Sequence, residues 1–231
     1  MPRTTTARPA RRTVRRRFRR SSAVLAALAV GVPLAGCTGG PAPSAAPGLD
    51  ERFLGGNTDP SPAATITPEP GSWNGTDVPA GYRVTLVSAG ADDATATVVS
   101  GVQAWADRED VVLTALPAAA DDDDVQARIE EAVTTDANLV LGAGDGVVDV
   151  FALLTAQHLD QQFLIVGAQL PEPTANVTSV VWPGARSRGT GLAAPGDVDP
   201  AAVTPDRVRE ALDAGMTSVL HDLTGIVIDL A

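Results

Sequence analysis

The chain has 231 residues, and its 17 basic residues, all arginine, are outnumbered by 28 acidic ones, which gives a net charge of −11 at pH 7. Nine arginines and no acids precede Cys37, so the chain from Cys37 onwards carries eight arginines against 28 acids, a net charge of −20. A surface this acidic repels phosphate backbones and anionic lipid headgroups, so we expect no nucleic-acid partner.

The first 36 residues have the layout of a secretory signal peptide. Nine arginines within residues 1–20 precede the apolar run Ala23–Ala35, which is shorter than the roughly twenty residues of a membrane-spanning helix. The segment ends in Leu-Ala-Gly-Cys, which resembles the bacterial lipobox. The resemblance implies cleavage before Cys37, the only cysteine of the chain, and lipidation of its sulfur. A partial twin-arginine match at Arg15–Arg17 leaves both export routes, Sec and twin-arginine, open.

We therefore expect a protein that acyl chains hold on the extracytoplasmic face of the cell membrane, because two or more chains make anchoring stable. Residues 37–80, which begin with the lipidated cysteine, are rich in Pro and Gly. Such a composition buries little apolar surface and predicts a flexible tether, within which FLGGNTDP and GSWNGTDVP are the stretches that can dock locally on the domain. The remaining residues, 81–231, are numerous enough for one domain with a hydrophobic core.

Strand and helix patterns alternate along residues 81–231. Runs of β-branched residues indicate strands, and apolar residues that recur every three or four positions indicate helices. The predicted strands are 82–89, 111–117, 137–144, 162–169, 177–182 and 225–230, and the predicted helices are 94–109, a segment opening at Asp121, 147–158, and a segment opening at Thr204 and Pro205. This alternation predicts an α/β fold, a single three-layer Rossmann-like lobe with a mostly parallel sheet covered on both faces.

In such sheets, ligands bind beyond the carboxyl ends of the strands. Three predicted loops leave those ends, at 88–93, 142–146 and 167–173. The first carries Asp92 and Asp93. The second, Gly-Ala-Gly-Asp-Gly, has neither the spacing of a dinucleotide-binding loop nor the lysine of a nucleotide-triphosphate loop. We interpret its glycines as permitting a tight strand-to-helix turn.

The sequence predicts no catalytic constellation, no cofactor and no metal, so we expect a binding protein rather than an enzyme. The four aspartates 121–124 lack the alternating ligands of a calcium loop, and acids suit a helix N-terminus. His158 and His221 have no cysteine or acid pair at ligand spacing. An enzymatic alternative is a metal-dependent hydrolase that uses four carboxylates, those of Asp92, Asp93, Asp145 and Asp149.

The order of pieces from Tyr82 to Trp182 resembles the first lobe of the basic membrane protein family, the PnrA-like substrate-binding lipoproteins of nucleoside ABC importers. The pieces that carry it are YRVTLVSAG, GVQAWADRE, DANLVLGAGDGVVDVFALLTAQHLDQQFLIVGA and NVTSVVWPGARSRG. The resemblance implies a periplasmic-binding-protein-like lobe, a nucleoside or similar ligand and an importer permease as partner. By the same alignment, Asp149 falls where the family has an Asp near the ligand, and Asp92 and Asp93 fall where it has an Asn-Asp pair.

Two departures from the family leave a second function open. An aromatic residue of the family's ligand loop is replaced near Thr95–Thr97, and we expect no second lobe after Gly191. One lobe covers only one side of a ligand, whereas small-ligand sites bury most of the ligand surface. The chain is thus either a membrane-anchored, ABC-transporter substrate-binding-like lipoprotein, or a degenerate single-lobe lipoprotein that acts as an envelope interaction protein without transport.

Overall fold

The computed structural model describes residues 48–185 and 199–231. The predicted signal peptide, Cys37 and the first part of the predicted tether lie outside the described residues. Within the described ranges, no helix combines the length and the apolar character needed to cross a bilayer.

Within the same ranges, seven strands form one sheet that four α-helices flank. The elements are β1 (Thr65–Ile66), β2 (Arg83–Ala89), α1 (Asp93–Arg108), β3 (Val112–Ala118), α2 (Asp122–Ala132), β4 (Leu139–Ala143), α3 (Val148–Leu154), β5 (Phe163–Val166), β6 (Val177–Val181), α4 (Pro205–Leu220) and β7 (Val227–Asp229). The strand order is β1-β7-β6-β5-β4-β2-β3, and every neighbouring pair is parallel. The predicted α/β fold class is confirmed, and the sheet is entirely rather than mostly parallel.

The helices cover both faces of the sheet and bury a separate core on each. On one face, α1 and α4 bury Trp105 and Val208 against the strands. On the other face, α2 and α3 bury Ile129 and Phe151, and the ring of Phe151 meets that of Phe163 edge to face at a centroid distance of 5.9 Å. The central strands β4 and β5 are buried along their whole length, as is typical of parallel strands covered on both sides.

The predicted tether is wrong for residues 48–80, which are part of the folded domain. β1 adds to the sheet beside β7, with Thr65 opposite Val227. Phe53, Ile66 and Trp73 are 0%, 2% and 6% exposed and belong to the core under α1 and α4. The prediction failed because Pro and Gly separate these few large apolar residues, which therefore show no strand or helix period.

Side chains cap the starts of the longer helices. Thr204 accepts a hydrogen bond from the backbone N–H of Arg207 at 3.4 Å, with Pro205 at the first helical position, which confirms the predicted start of α4. Asp121 accepts from the backbone N–H of Asp124 at 3.0 Å. The run of four aspartates therefore supplies a cap and an acidic first turn to α2, as the sequence predicts.

Candidate ligand site at the carboxyl edge of the sheet

The strand order places a topological switch point between β2 and β4. From β2 the chain moves outward to β3, and it then returns to β4 on the other side of β2. The helix after β2, α1, covers one face of the sheet, whereas the helix after β4, α3, covers the opposite face. Ligands of open parallel sheets bind where successive crossovers diverge in this way. The loops at 90–93 and 144–147 therefore flank the expected ligand position.

The two switch-point loops lie in direct contact. Gly144 has a φ of +73°, and a Cβ placed on it would lie 3.6 Å from the hydroxyl of Thr95 in α1. A Cβ on Gly146 would lie 2.8 Å from the carbonyl oxygen of Ala89, at the end of β2, which is closer than a side chain can approach. Glycine is therefore required where these loops meet, and the interpretation that these glycines permit a tight turn is confirmed.

Asp92 is the N-cap of α1. One carboxylate oxygen accepts from the backbone N–H of Thr95 at 2.9 Å, and the other accepts from the Thr95 hydroxyl at 2.7 Å. These two hydrogen bonds lower the pKa of Asp92 below its usual value because both favour the charged form. The bond from the Thr95 N–H has the larger effect, and the bond from its hydroxyl has the next largest. The side chain is exposed, so the negative charge faces solvent at the switch point.

The other two predicted ligand residues also lie at the carboxyl edge. Asp149 is in the first turn of α3 and is half-buried. Asp93 is the first residue of α1, is exposed, and lines a groove between α1 and α4. The structure thus brings the Asp92 loop and the loop that leads to Asp149 together, and it places Asp93 on the flank of α1.

Trp182 is a further residue of this edge to which the sequence analysis gave no role in the ligand site. It follows β6 directly, is fully buried, and donates from Nε1 to the carbonyl of Ala202 at 3.0 Å. A Cβ on Gly167, after β5, would lie 3.4 Å from the Trp182 ring and 3.9 Å from the Cα of Gly144. The buried indole therefore packs beneath the Gly167 loop, beside the switch point. Its position as the last residue of the predicted strand 177–182 was the available signal.

A groove of about 670 Å³ lies between α1 and the start of α4. The helices pack closely at Gly101, where an added Cβ would lie 2.4 Å from Val208 Cγ1. Small and apolar side chains line much of the groove, and ion-paired arginines lie at one end. The lining residues are Asp93, Ala96, Thr97, Ser100, Gly101, Ala104, Trp105, Arg108, Pro205, Asp206 and Arg209.

Beyond the arginines, a smaller cavity of about 280 Å³ lies between Trp73, Trp105 and Asp213. Arg108 bonds to the carboxylate of Asp213 and pairs with Glu109 at 2.7 Å. Burial raises the pKa of Asp213 despite the opposing pull of the nearby guanidinium groups. Because the arginines already have carboxylate partners, this end offers no free positive charge to an anionic ligand.

The carboxyl edge is acidic because each of the four α-helices carries an acid in its first turn. These residues are Asp93, Asp122, Asp123, Asp124, Asp149 and Asp206. Carboxylates accept hydrogen bonds from hydroxyl and amino groups and repel anions. Within residues 48–185 and 199–231, no group of three or more His, Cys, Asp or Glu side chains has the arrangement to hold a metal ion. The edge therefore suits a neutral or cationic solute rich in donors.

No protein-family model and no curated protein matches the chain. Solved structures give weak likenesses. An ABC transporter solute-binding protein from Conexibacter woesei DSM 14684 is 14% identical, with a TM-score of 0.38 over 45% of this chain and 36% of that one. A periplasmic ribose ABC transporter protein from the same organism is 14% identical, with a TM-score of 0.35 over 68% of this chain and 56% of that one.

A LacI family transcriptional regulator from Weissella paramesenteroides, with bound sucrose, is 10% identical, with a TM-score of 0.35 over 63% of this chain and 57% of that one. The solved structures similar to this chain thus include solute-binding proteins of ABC transporters and a regulator. This chain spans about a third of the length of the first of them. Likenesses this weak carry no functional argument, so the function rests on the sequence signals and the site geometry.

Proposed function

We propose that this chain is a lipid-anchored, extracytoplasmic binding protein of the ABC transporter solute-binding type. We further propose that it belongs with the basic membrane protein family and holds a nucleoside or similar hydroxyl-rich solute between the switch-point loops. One observation supports the site above all. The strand order puts the switch point between β2 and β4, and the loops there carry Asp92 and lead to Asp149.

The chemistry of the two carboxylates suits vicinal hydroxyl groups. A carboxylate has two oxygens and about four acceptor positions, so Asp92 can keep both bonds to Thr95 and still accept from a ligand. Asp149, half-buried at the start of α3, offers the second carboxylate. A phosphorylated ligand is disfavoured by the same acids. We therefore expect free nucleosides to bind in preference to nucleotides.

The test is thermal stabilisation of the mature protein in detergent by a panel of nucleosides and their 5′-monophosphates. A bound ligand raises the melting temperature by mass action. Asp149→Asn should weaken nucleoside binding at least about tenfold, which corresponds to about 1.4 kcal/mol. The matched control is Asp160→Asn. Asp160 is exposed and precedes β5, at the opposite edge of the sheet. Equal binding by both variants, or no stabilisation by any solute, would contradict the proposed site.

The membrane anchor is a separate part of the proposal and rests on the lipobox ending at Cys37. Cys37→Ser should release the protein from the membrane fraction or leave it as an uncleaved precursor, because serine offers no thiol for lipidation. Ser44→Ala, a nearby conservative change, should leave membrane attachment intact. Metabolic labelling with a fatty acid checks the same claim. Incorporation of label into the Cys37→Ser variant would refute it.

The second candidate function is an envelope interaction protein without transport. It is favoured by the close packing of the switch-point loops, where Gly146 already lies against the Ala89 carbonyl and leaves little depth for a ligand. A lobe with exposed carboxylates covers a solute on one side only. Under this alternative, a correctly folded protein would show no stabilisation by any nucleoside at millimolar concentration.

A further inference from the structure

β3 forms the edge of the sheet opposite β1 and is open on one side. It pairs only with β2 within the described chain. Its sequence, Val-Leu-Thr-Ala-Leu-Pro-Ala, contains no charge, and all seven of its residues are at least partly exposed, with Val112 at 54%. An uncharged, exposed edge strand is a template on which another strand can pair.

The hydrogen bonds of β3 show which backbone groups face outward. The N–H of Val112 donates to the carbonyl of Tyr82 at 2.9 Å, so the backbone N–H and C=O of Val112 point towards β2. Because backbone groups alternate in direction along a strand, Leu113, Ala115 and Pro117 turn theirs away from β2. The open edge therefore offers two N–H donors, from Leu113 and Ala115, and the carbonyls of all three residues.

The carboxyl end of this edge offers no backbone N–H donor to an added strand. Pro117 has no N–H to offer, which fits its outward position because it costs β3 no bond to β2. Farther on, the N–H of Ala119 donates to the side chain of Asp124 at 2.6 Å. Only a short added strand can therefore pair with β3, centred on Leu113 and Ala115.

Acidic side chains lie at both ends of the open edge. Glu109 and Asp110 precede β3, and Asp121, Asp122 and Asp123 follow it. A second copy of this chain, paired antiparallel, would bring the acidic start of one strand towards the acidic end of the other. Like charges brought together in this way oppose pairing. A segment with basic residues on both sides would instead be attracted.

We propose that the β3 edge docks an extended segment of a partner protein, with a short uncharged centre and basic residues on both flanks, as an added strand. Backbone hydrogen bonds to Leu113 and Ala115 supply the register, and the flanking acids select the charge of the partner. This surface is on the opposite side of β2 from the switch point and does not depend on the solute-binding proposal.

The probe is the synthetic peptide Arg-Arg-Thr-Val-Thr-Val-Thr-Arg-Arg, added to the isotope-labelled mature protein in detergent. Amide hydrogen exchange is read residue by residue. We expect the N–H groups of Leu113 and Ala115 to exchange at least about tenfold more slowly with saturating peptide. Those of Val112 and Thr114, which already face β2, should not change. This alternating pattern is specific to an added strand, because a peptide bound through side chains alone would not produce it.

Two variants separate pairing from general attraction. Ala115→Pro removes one outward N–H and no bond to β2, so peptide binding should fall at least about tenfold. Ala115→Ser keeps that N–H and should bind as the unaltered protein does. A peptide that is N-methylated at all five central residues has no N–H donor on either edge of its strand. It tests the same contact without changing the protein, in case Ala115→Pro disturbs folding, and should bind more weakly.

Three results would overturn the proposal. The first is equal binding of the N-methylated and unmodified peptides. The second is equal binding of a peptide in which glutamate replaces every arginine. The third is protection of Leu113 and Ala115 that rises with protein concentration in the absence of peptide, which would assign the edge to a second copy of this chain.

Discussion

Replacing Asp92 by alanine separates the capping role of this residue from a ligand role. Its carboxylate accepts two hydrogen bonds from Thr95, at 2.9 and 2.7 Å, at the start of a 16-residue helix. Losing such a cap costs roughly 0.5–2 kcal/mol, and we take this range to include the lost interaction of the exposed carboxylate with the helix dipole. In a domain of this size each kcal/mol lowers the melting temperature by roughly 2–4 °C. We expect Asp92→Ala to lower it by about 1–8 °C at pH 7.

The pH dependence follows from the sign of the pKa shift. The bonds from Thr95 lower the pKa of Asp92 in the folded protein. Its contribution is therefore fully present above the unfolded-state pKa of about 3.9 and is lost as the pH falls through the folded-state pKa. Urea unfolding should show a constant difference between the original protein and Asp92→Ala from pH 7 to about pH 5. The difference should shrink below about pH 4.

Two further variants make this prediction specific. Asp92→Asn keeps an oxygen acceptor for the Thr95 N–H and should lose less than half as much stability as Asp92→Ala. Asp93→Ala removes the next acid, which is exposed and does not cap the helix, and should cost less than Asp92→Ala. Equal stability of Asp92→Ala and the original protein at pH 7 would refute the capping argument. A tenfold loss of nucleoside affinity without loss of stability would assign Asp92 to the ligand alone.

Three other changes test the fold around the site. A chain restricted to residues 81–231 should fail to fold to a soluble, cooperatively melting domain, because it lacks β1 and four large buried side chains. A normal melting transition would show that the earlier segment is dispensable. Gly101→Ala should destabilise the α1–α4 packing by about 1–2 kcal/mol, since overpacking against Val208 outweighs the gain in helix propensity, and adding Val208→Ala should recover part of the loss in chemical unfolding. Trp182→Phe should cost about 1–3 kcal/mol because the carbonyl of Ala202 loses its indole donor, and an unchanged urea midpoint would contradict that role.

The strands β2 to β7 and the four α-helices could be predicted because each carries a local sequence pattern. Val98, Val102 and Trp105 recur at helical spacing, and all three are buried on the inner face of α1. The start of α4 at Thr204 and Pro205 was likewise visible, since a cap is a property of a few adjacent residues. Parallel order followed from the alternation of these elements.

The contribution of residues 48–80 could not be predicted in the same way. Phe53 and Trp73 are isolated within Pro- and Gly-rich sequence. They are buried because they join the core that α1 and α4 cover, and those helices lie far along the chain. The hydroxyl of Thr217 donates to the carbonyl of Trp73 at 3.2 Å, a contact between residues far apart in the chain. Residues 48–80 hold only one short strand, yet they are folded onto the domain, so the prediction of a flexible tether was wrong for them.

For the candidate site, the sequence predicted that the aspartates lie at the carboxyl edge of the sheet, where the structure has them, but it did not show their surroundings. The Asp92 loop and the loop that leads to Asp149 come together only because β4 returns beside β2. The buried position of Trp182 and its bond to Ala202 depend on a connection that no local pattern specifies. Strand order is set by the whole chain, which is why the switch point had to be observed.

The most direct test of the central claim is a chemical-shift map of the isotope-labelled mature protein titrated with adenosine. We predict that the largest saturable shifts lie in the loops at 89–95 and 144–149, on both sides of the β2–β4 switch point, and that Asp149→Asn weakens them. Shifts confined to the groove between α1 and α4, or no saturable shift at millimolar adenosine, would contradict a solute site at the carboxyl edge of the sheet.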